Sequence, residues 1–233
     1  GTVRAFVVSA PGVAAVCEVD DPAARPGTVV VDVERVGVCG TDVEFFTGDM
    51  AYLRQGDATY PIRLGHEWCG IVSEVGSGVD PYWLGRRVTA DTMLGCRRCR
   101  RCRDGRQHVC EDRYEIGIRR GWPGALAEKV MVPAWALHAL PESVDVVAGA
   151  MVEPGGTALR AVEAADLRPG MRAVVYGPGT IGLLTTRFAL ARGVEIHVVG
   201  LSGPALEFAS TLGVAGVWTA DELPRMPYDA VID

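Results

Sequence analysis

The sequence predicts an α/β chain in two parts: a β-rich, barrel-like part, then a doubly wound parallel sheet flanked by helices. Three observations predict it. From Thr2 to about Val152, short β-type runs are broken at even intervals by Gly, Pro and Asp, the punctuation of a barrel. From Glu153 onward, strand and helix patterns alternate, as in sheets whose crossovers are helices. Within that second part, a glycine-rich run, Gly177-Pro178-Gly179-Thr180-Ile181-Gly182, stands between a strand pattern and a helix pattern. The division is placed at 1–153 and 154–233, with a cysteine-rich lobe at 95–112 inside the first part.

In the first part, strands are expected over residues 3–9, 28–38, 70–75, 87–89 and 126–132. In the second, 171–176 is a continuous apolar run, as a parallel strand buried on both faces requires. Residues 180–192 carry helical spacing through Ile181, Leu184, Phe188 and Ala191. A strand at 195–199, a helix at 205–212 and strands at 214–219 and 229–232 complete a βαβαβ order. Asp166-Leu-Arg-Pro-Gly170 is the turn into the first of these strands. A doubly wound sheet usually has about six strands, and about four can be read, so the second part is expected to be incomplete.

The chain has 233 residues, 48% hydrophobic, with a net charge of −6. That length suits one large domain or two ordinary ones. The acidic balance argues against nucleic acid as a partner. The arginine-rich stretch 97–106 reads as charged side chains solvating a lobe with little core of its own. No apolar run approaches the roughly 20 residues that span a membrane, and none reads as a signal peptide. Seven cysteines without a secretion signal suit a reducing cytoplasm. Cys17 and Cys69 are expected to be small buried hydrophobes.

Four of the cysteines crowd together as Cys96-Arg-Arg-Cys99-Arg-Arg-Cys102, with Cys110 following. Four thiolates on a tight loop match a closed, tetrahedral structural Zn²⁺ site. Disulfides fit poorly, because near neighbours rarely pair, and the spacing of the fourth cysteine does not favour an iron–sulfur cluster. A site closed by four thiolates leaves no position for substrate.

In the glycine run, Gly177 allows a tight turn, Gly179 a close approach by pyrophosphate, and Gly182 close helix-on-strand packing. The helix that opens there offers free N–H groups to phosphates. Such sites for NAD place an acid at the end of the second strand, where this chain has Gly200. Without that carboxylate a 2′-phosphate is not repelled, and Ser202 offers it a hydroxyl, although no arginine follows. NADP is thereby favoured over NAD.

Cys39-Gly-Thr41-Asp42 follows a strand, Gly65-His66-Glu67 opens another, and Glu153-Pro154 lies at the junction. A thiolate, an imidazole and a carboxylate from distant positions compose an open zinc site with a free fourth place. Taken singly, each has a plainer reading: Cys39 a core thiol, His66 a satisfied histidine, Glu153 an acid at a helix N-terminus.

With these motifs in this order, the chain resembles the zinc-containing medium-chain dehydrogenases, the alcohol and polyol dehydrogenase family. Glu153-Pro resembles the sorbitol, threonine and glucose dehydrogenase branches rather than the alcohol dehydrogenases with cysteine there. The resemblance implies a GroES-like β-barrel domain carrying a catalytic zinc, a Rossmann NAD(P)-binding domain beside it, and a homodimer or homotetramer. It implies Cys39 and His66 as ligands, with Glu67 or Glu153 as the third, and Thr41 as the hydroxyl that passes the alcohol proton outward. Many relatives continue that relay with a histidine three residues further on, where this chain has Glu44.

The expected activity is hydride transfer between NAD(P) and a small-molecule secondary alcohol: a polyol, sugar or hydroxy-amino acid. Zinc lowers the pKa of the alcohol, and the hydride chemistry belongs to the nicotinamide. Two alternatives stand beside it: a redox-neutral or reductase member of the family, and a non-catalytic nucleotide-binding module. Fold alone does not choose between them.

Overall fold

A computed structural model describes residues 1–201 and 203–233; Ser202, a candidate for the nucleotide phosphate, lies outside the described residues. The chain divides into two compact units, Gly1–Glu153 and Pro154–Asp233.

The first unit opens with a hairpin, β1 (Thr2–Ala10) and β2 (Val13–Asp20), followed by β3 (Thr28–Val36). Helices α1 (Gly40–Thr47) and α2 (Ala51–Gln55) precede β4 (Ile62–Arg63) and β5 (Trp68–Val75). Then come β6 (Arg87–Ala90), β7 (Met93–Leu94), the short α3 (Arg100–Arg103), β8 (Tyr114–Glu115), β9 (Lys129–Pro133), β10 (Leu137–Ala139) and α4 (Val146–Ala150). Two sheets result, ordered β10-β6-β5-β3-β9 and β2-β1-β4, with β7 and β8 as a small ribbon. Residues 126–128 stitch the sheets together: Phe6 N–H donates to the Leu126 carbonyl, Glu128 N–H to that of Arg4, and Val33 N–H to that of Glu128. This segment was expected to be strand; its bonds are split between two partners, so the regular ladder begins only at Lys129.

The five-stranded sheet is held by a core of Val29, Val31, Trp68, Val72, Val88 and Ile116, among others, all essentially inaccessible. Val29, Val30 and Val31 are all buried, so β3 is covered on both faces. A second cluster gathers Val8, Phe45, Leu64 and Ile118, tying α1 to the smaller sheet. Cys69 is buried as expected, with its thiol on the Val146 carbonyl. Cys17 is not: it is exposed on β2. That strand pairs with β1 alone, and most of its positions face water.

From Val152 the chain runs as α5 (Val152–Ala164), with Glu153 in its first turn. The second unit then alternates β11 (Arg172–Tyr176), α6 (Thr180–Ala191), β12 (Glu195–Val199), α7 (Pro204–Ser210), β13 (Gly216–Trp218) and β14 (Ala230–Ile232). The four strands are parallel in the order β13-β12-β11-β14, so the strand order reverses beside β11. Ala173, Val175, Ile196 and Val198 from the two central strands pack with Val162, Ala189 and Ala209 from the helices. Among the described residues, no helix is long and apolar enough to cross a membrane.

Candidate functional site

β3 ends at Val36, and Gly37 and Val38 carry the chain to Cys39, the N-cap of α1 with extended backbone. Asp42, at the third position of that helix, accepts the Cys39 N–H at 2.8 Å, the acidic half of a capping box. The same carboxylate accepts from Gly65 N–H at 3.4 Å and lies 3.6 Å from His66 Nδ1. One buried acid thus fixes the loop that bears Cys39 and faces the histidine that precedes β5.

Ligand atoms of Cys39, His66 and Glu67 lie within 4.8 Å of one another. His66 and Glu67 are 4% and 8% exposed, and His66 Nδ1 has no hydrogen-bond partner among the described residues. Burial works against a charged His66, and the hydrogen bond to Cys39 and the charges of Asp42 and Glu153 outweigh it, raising its pKa to about 8. The Glu153 carboxyl is raised by burial first and then by the nearby acids Glu67 and Asp42, although His66 opposes this. A thiol, an imidazole and three carboxyl groups share this pocket with no lysine or arginine among the groups that act on His66. That donor set suits a divalent cation: a sulfur, a nitrogen and an oxygen ligand with a place left over.

The sequence candidates are not all equally close. Glu153 acts on His66 electrostatically but stands outside the three-ligand set. Thr41 is half-buried on α1, and Glu44 is exposed one turn further on, its carbonyl accepting from Gly48. Asp42 was legible as part of the motif but not as the group holding it together. Its signal was the spacing of an acid three residues after a helix start.

The four cysteines of the lobe also converge, with their sulfur atoms within 4.8 Å of one another. Backbone N–H groups point at the sulfurs: Cys99 N–H to Cys96 at 3.4 Å, Cys102 N–H to Cys99 at 3.5 Å, Cys96 N–H to Cys110 at 3.5 Å. Sulfurs this close cannot all ionise without a cation between them. Cys96 is lowered to about 6, chiefly by backbone N–H groups of Arg98 and Cys99, while burial raises Cys102 to about 12. The surrounding residues fit a closed tetrathiolate metal site.

In the second unit, Gly177 has φ 83°, Gly179 caps α6 without a side-chain hydrogen bond, and a Cβ at Gly179 would meet nothing within 4 Å. A Cβ at Gly182 would run into the Gly177 carbonyl. Pro178 is half-buried, while Thr180 and Ile181 are exposed at the first turn. The loop leaves open space over a helix N-terminus, a cradle that fits a phosphate. Gly200 directly follows β12, and a Cβ there would come within 2.6 Å of Pro178 Cδ and 2.8 Å of its Cγ. The proline ring fills the place where an acid would begin.

The family model for the alcohol dehydrogenase GroES-like domain matches residues 25–142. The chain belongs to the zinc-containing medium-chain dehydrogenase/reductase family. It is 36% identical over 195 residues to a 2-dehydro-3-deoxy-L-galactonate 5-dehydrogenase of Pseudoalteromonas atlantica, covering 84% of this chain and 55% of that one. Among solved family members, galactitol-1-phosphate dehydrogenase from Escherichia coli superposes with a TM-score of 0.85 at 30% identity, covering 95% of this chain and 62% of that one. A cobalt- and zinc-bound thermostable alcohol dehydrogenase from Pyrobaculum aerophilum gives a TM-score of 0.87 at 29% identity, covering 99% of this chain and 70% of that one. The chain spans about half the length of the curated relatives it matches. In the family's terms, the first unit contains a GroES-like domain and the second carries Rossmann topology.

Proposed function

We propose that this protein is a zinc-dependent oxidoreductase that moves a hydride between NAD(P) and a secondary alcohol such as a polyol, sugar or hydroxy-amino acid. The observation that carries this reading is the convergence of Cys39, His66 and Glu67 on one buried point. Relatives named for sugar-acid and polyol-phosphate oxidation support the substrate class.

Cys39 and His66 would hold the catalytic ion with Glu67 as third ligand, and Glu153 is the nearby carboxylate that would replace it. Zinc when bound supplies Lewis acidity that brings an alcohol's pKa toward neutrality, and the nicotinamide accepts the hydride. The chain's own part is positioning and proton handling. Asp42 fixes the Cys39 backbone and faces His66. Thr41 would accept the alcohol proton at its hydroxyl oxygen as its own hydroxyl proton passes to the carboxylate of exposed Glu44, one turn along α1, which releases it to water. Cys96, Cys99, Cys102 and Cys110 would hold a second, structural zinc that keeps the 95–112 lobe in shape. Residues 1–153 act as the catalytic domain and 154–233 as nucleotide-binding domain.

Residues 177–182 cradle the pyrophosphate. NADP is favoured because Pro178 bars any side chain, and so any carboxylate, from position 200. A homodimer or homotetramer in the cytoplasm completes the reading, where free thiols stay reduced and available to metal.

The test is a turnover screen of polyols, aldoses and threonine with NAD⁺ and NADP⁺, following reduced nicotinamide by absorbance. Turnover of a secondary alcohol, faster with NADP⁺, is expected. Bound zinc without turnover of any alcohol would favour the redox-neutral or reductase alternative.

A further inference from the structure

Gly37 stands two residues before Cys39, where β3 gives way to the metal-site loop. Its backbone is not in the left-handed region that calls for glycine. Its N–H donates to the Glu67 carbonyl at 2.6 Å, so the two segments are pinned together there. A Cβ placed on Gly37 would lie 2.5 Å from Glu67 Oε2, 3.2 Å from its Cβ and 3.5 Å from its Cδ. The three nearest atoms thus all belong to one side chain, the carboxylate beside Cys39 and His66. Gly40, the first residue of α1, would meet nothing within 4 Å.

We propose that Gly37 is a positioning residue for the metal site: its missing side chain leaves the space that the Glu67 carboxylate occupies while reaching Cys39 and His66. The proposal rests on reading those three residues as metal ligands. Cβ atoms do not approach other atoms as closely as 2.5 Å, so a methyl group at 37 must displace something. The backbone bond resists separation of the strands, and Trp68, fully buried next to Glu67, resists movement of β5. The carboxylate is the part free to turn, and turning takes it out of the ligand set.

Cobalt(II) titration of the full chain tests this, with the visible bands lost in Cys39→Ser marking the site apart from the four-cysteine lobe. Gly37→Ala is expected to weaken cobalt binding at that site about tenfold or more, in the range for residues that orient metal ligands. The bands of the lobe and the far-ultraviolet circular dichroism should be unchanged. In the Glu67→Asp background the shorter carboxylate withdraws from position 37, so Gly37→Ala should cost a markedly smaller factor. Unchanged affinity in Gly37→Ala, or an equal loss in both backgrounds, would overturn the proposal. If Gly37→Ala unfolds, recovery of fold and cobalt binding in the double variant is expected, and a double variant as unfolded as the single would overturn it. Wild-type protein lacking any band that Cys39→Ser removes would refute the metal reading itself, and this proposal with it.

Discussion

Asp42 shows how much one side chain carries at the residue scale. Its carboxylate takes the Cys39 and Gly65 N–H groups and faces His66, so one buried acid orders both segments that bear the candidate ligands. Asp42→Asn should keep its shape but lose its charge and two-sided acceptance. Metal affinity at the Cys39–His66 site is expected to fall about 10–100-fold, measured by competition with a chelator. Gly200→Asp tests the other end of the chain. In a site with room, an acid there would favour NAD; here it meets Pro178. The expected outcome is weaker binding of both dinucleotides by calorimetry, with no switch of preference. Cys39, His66 and Glu67 stood out in the sequence as candidates because thiol, imidazole and carboxylate are chemically distinctive, and the fold brings them within 4.8 Å of one another. Gly37 did not stand out, since a missing side chain says nothing until its neighbours are known. Cys17 was misread as buried for a related reason: burial of a lone cysteine depends on which strand covers it.

At the scale of elements, the 95–112 lobe and the β11–β12 pair are held by different forces. The lobe has only the four-residue helix α3 and a 3₁₀ turn at Gln107–Val109, and its arginines at 97, 98, 100, 101, 103 and 106 are exposed. Convergent sulfurs, not an apolar core, give it shape. Cys99→Ser should therefore lower the Tm and open residues 95–112 to protease, whereas Cys39→Ser should leave both nearly unchanged. On the parallel sheet, the Arg172 guanidinium and then His197 hold the Glu195 carboxyl down to about 2, from an ordinary 4.5. A carboxyl lowered on folding stabilises the fold above its ordinary pKa, and that stabilisation drains away as pH falls from about 4.5 toward 2. Glu195→Gln should flatten this part of a denaturation-versus-pH curve by lowering stability above about pH 4.5 while leaving the acid end unchanged, and by only a small amount, as Glu195 is well exposed. The β11–β12 alternation was legible because parallel strands buried on both faces read as apolar runs. β2 was not singled out: its run Val13–Cys17 is apolar without alternation, yet most of its positions face water, so its sequence does not report its place at the sheet edge.

For the whole molecule, the order of motifs says more than any one of them. A thiol loop, a histidine–glutamate pair, a cysteine lobe, a glutamate–proline junction and a glycine loop each have a plain reading alone. In sequence they match a family whose GroES-like domain spans residues 25–142. The chemistry divides accordingly: both candidate metal sites lie within Gly1–Glu153, and the glycine loop lies within Pro154–Asp233. Substrate choice was not legible, because it depends on the shape of surfaces around the ligands rather than on the ligands' identity. The most direct measurement compares NADP⁺-dependent oxidation of a secondary alcohol by wild type and Cys39→Ser, with zinc counted in both. The expected result is one zinc fewer per chain, loss of turnover, and a Tm close to that of wild type. Turnover that survives in Cys39→Ser, or a variant that keeps all its zinc, would contradict the assignment of chemistry to Cys39, His66 and Glu67.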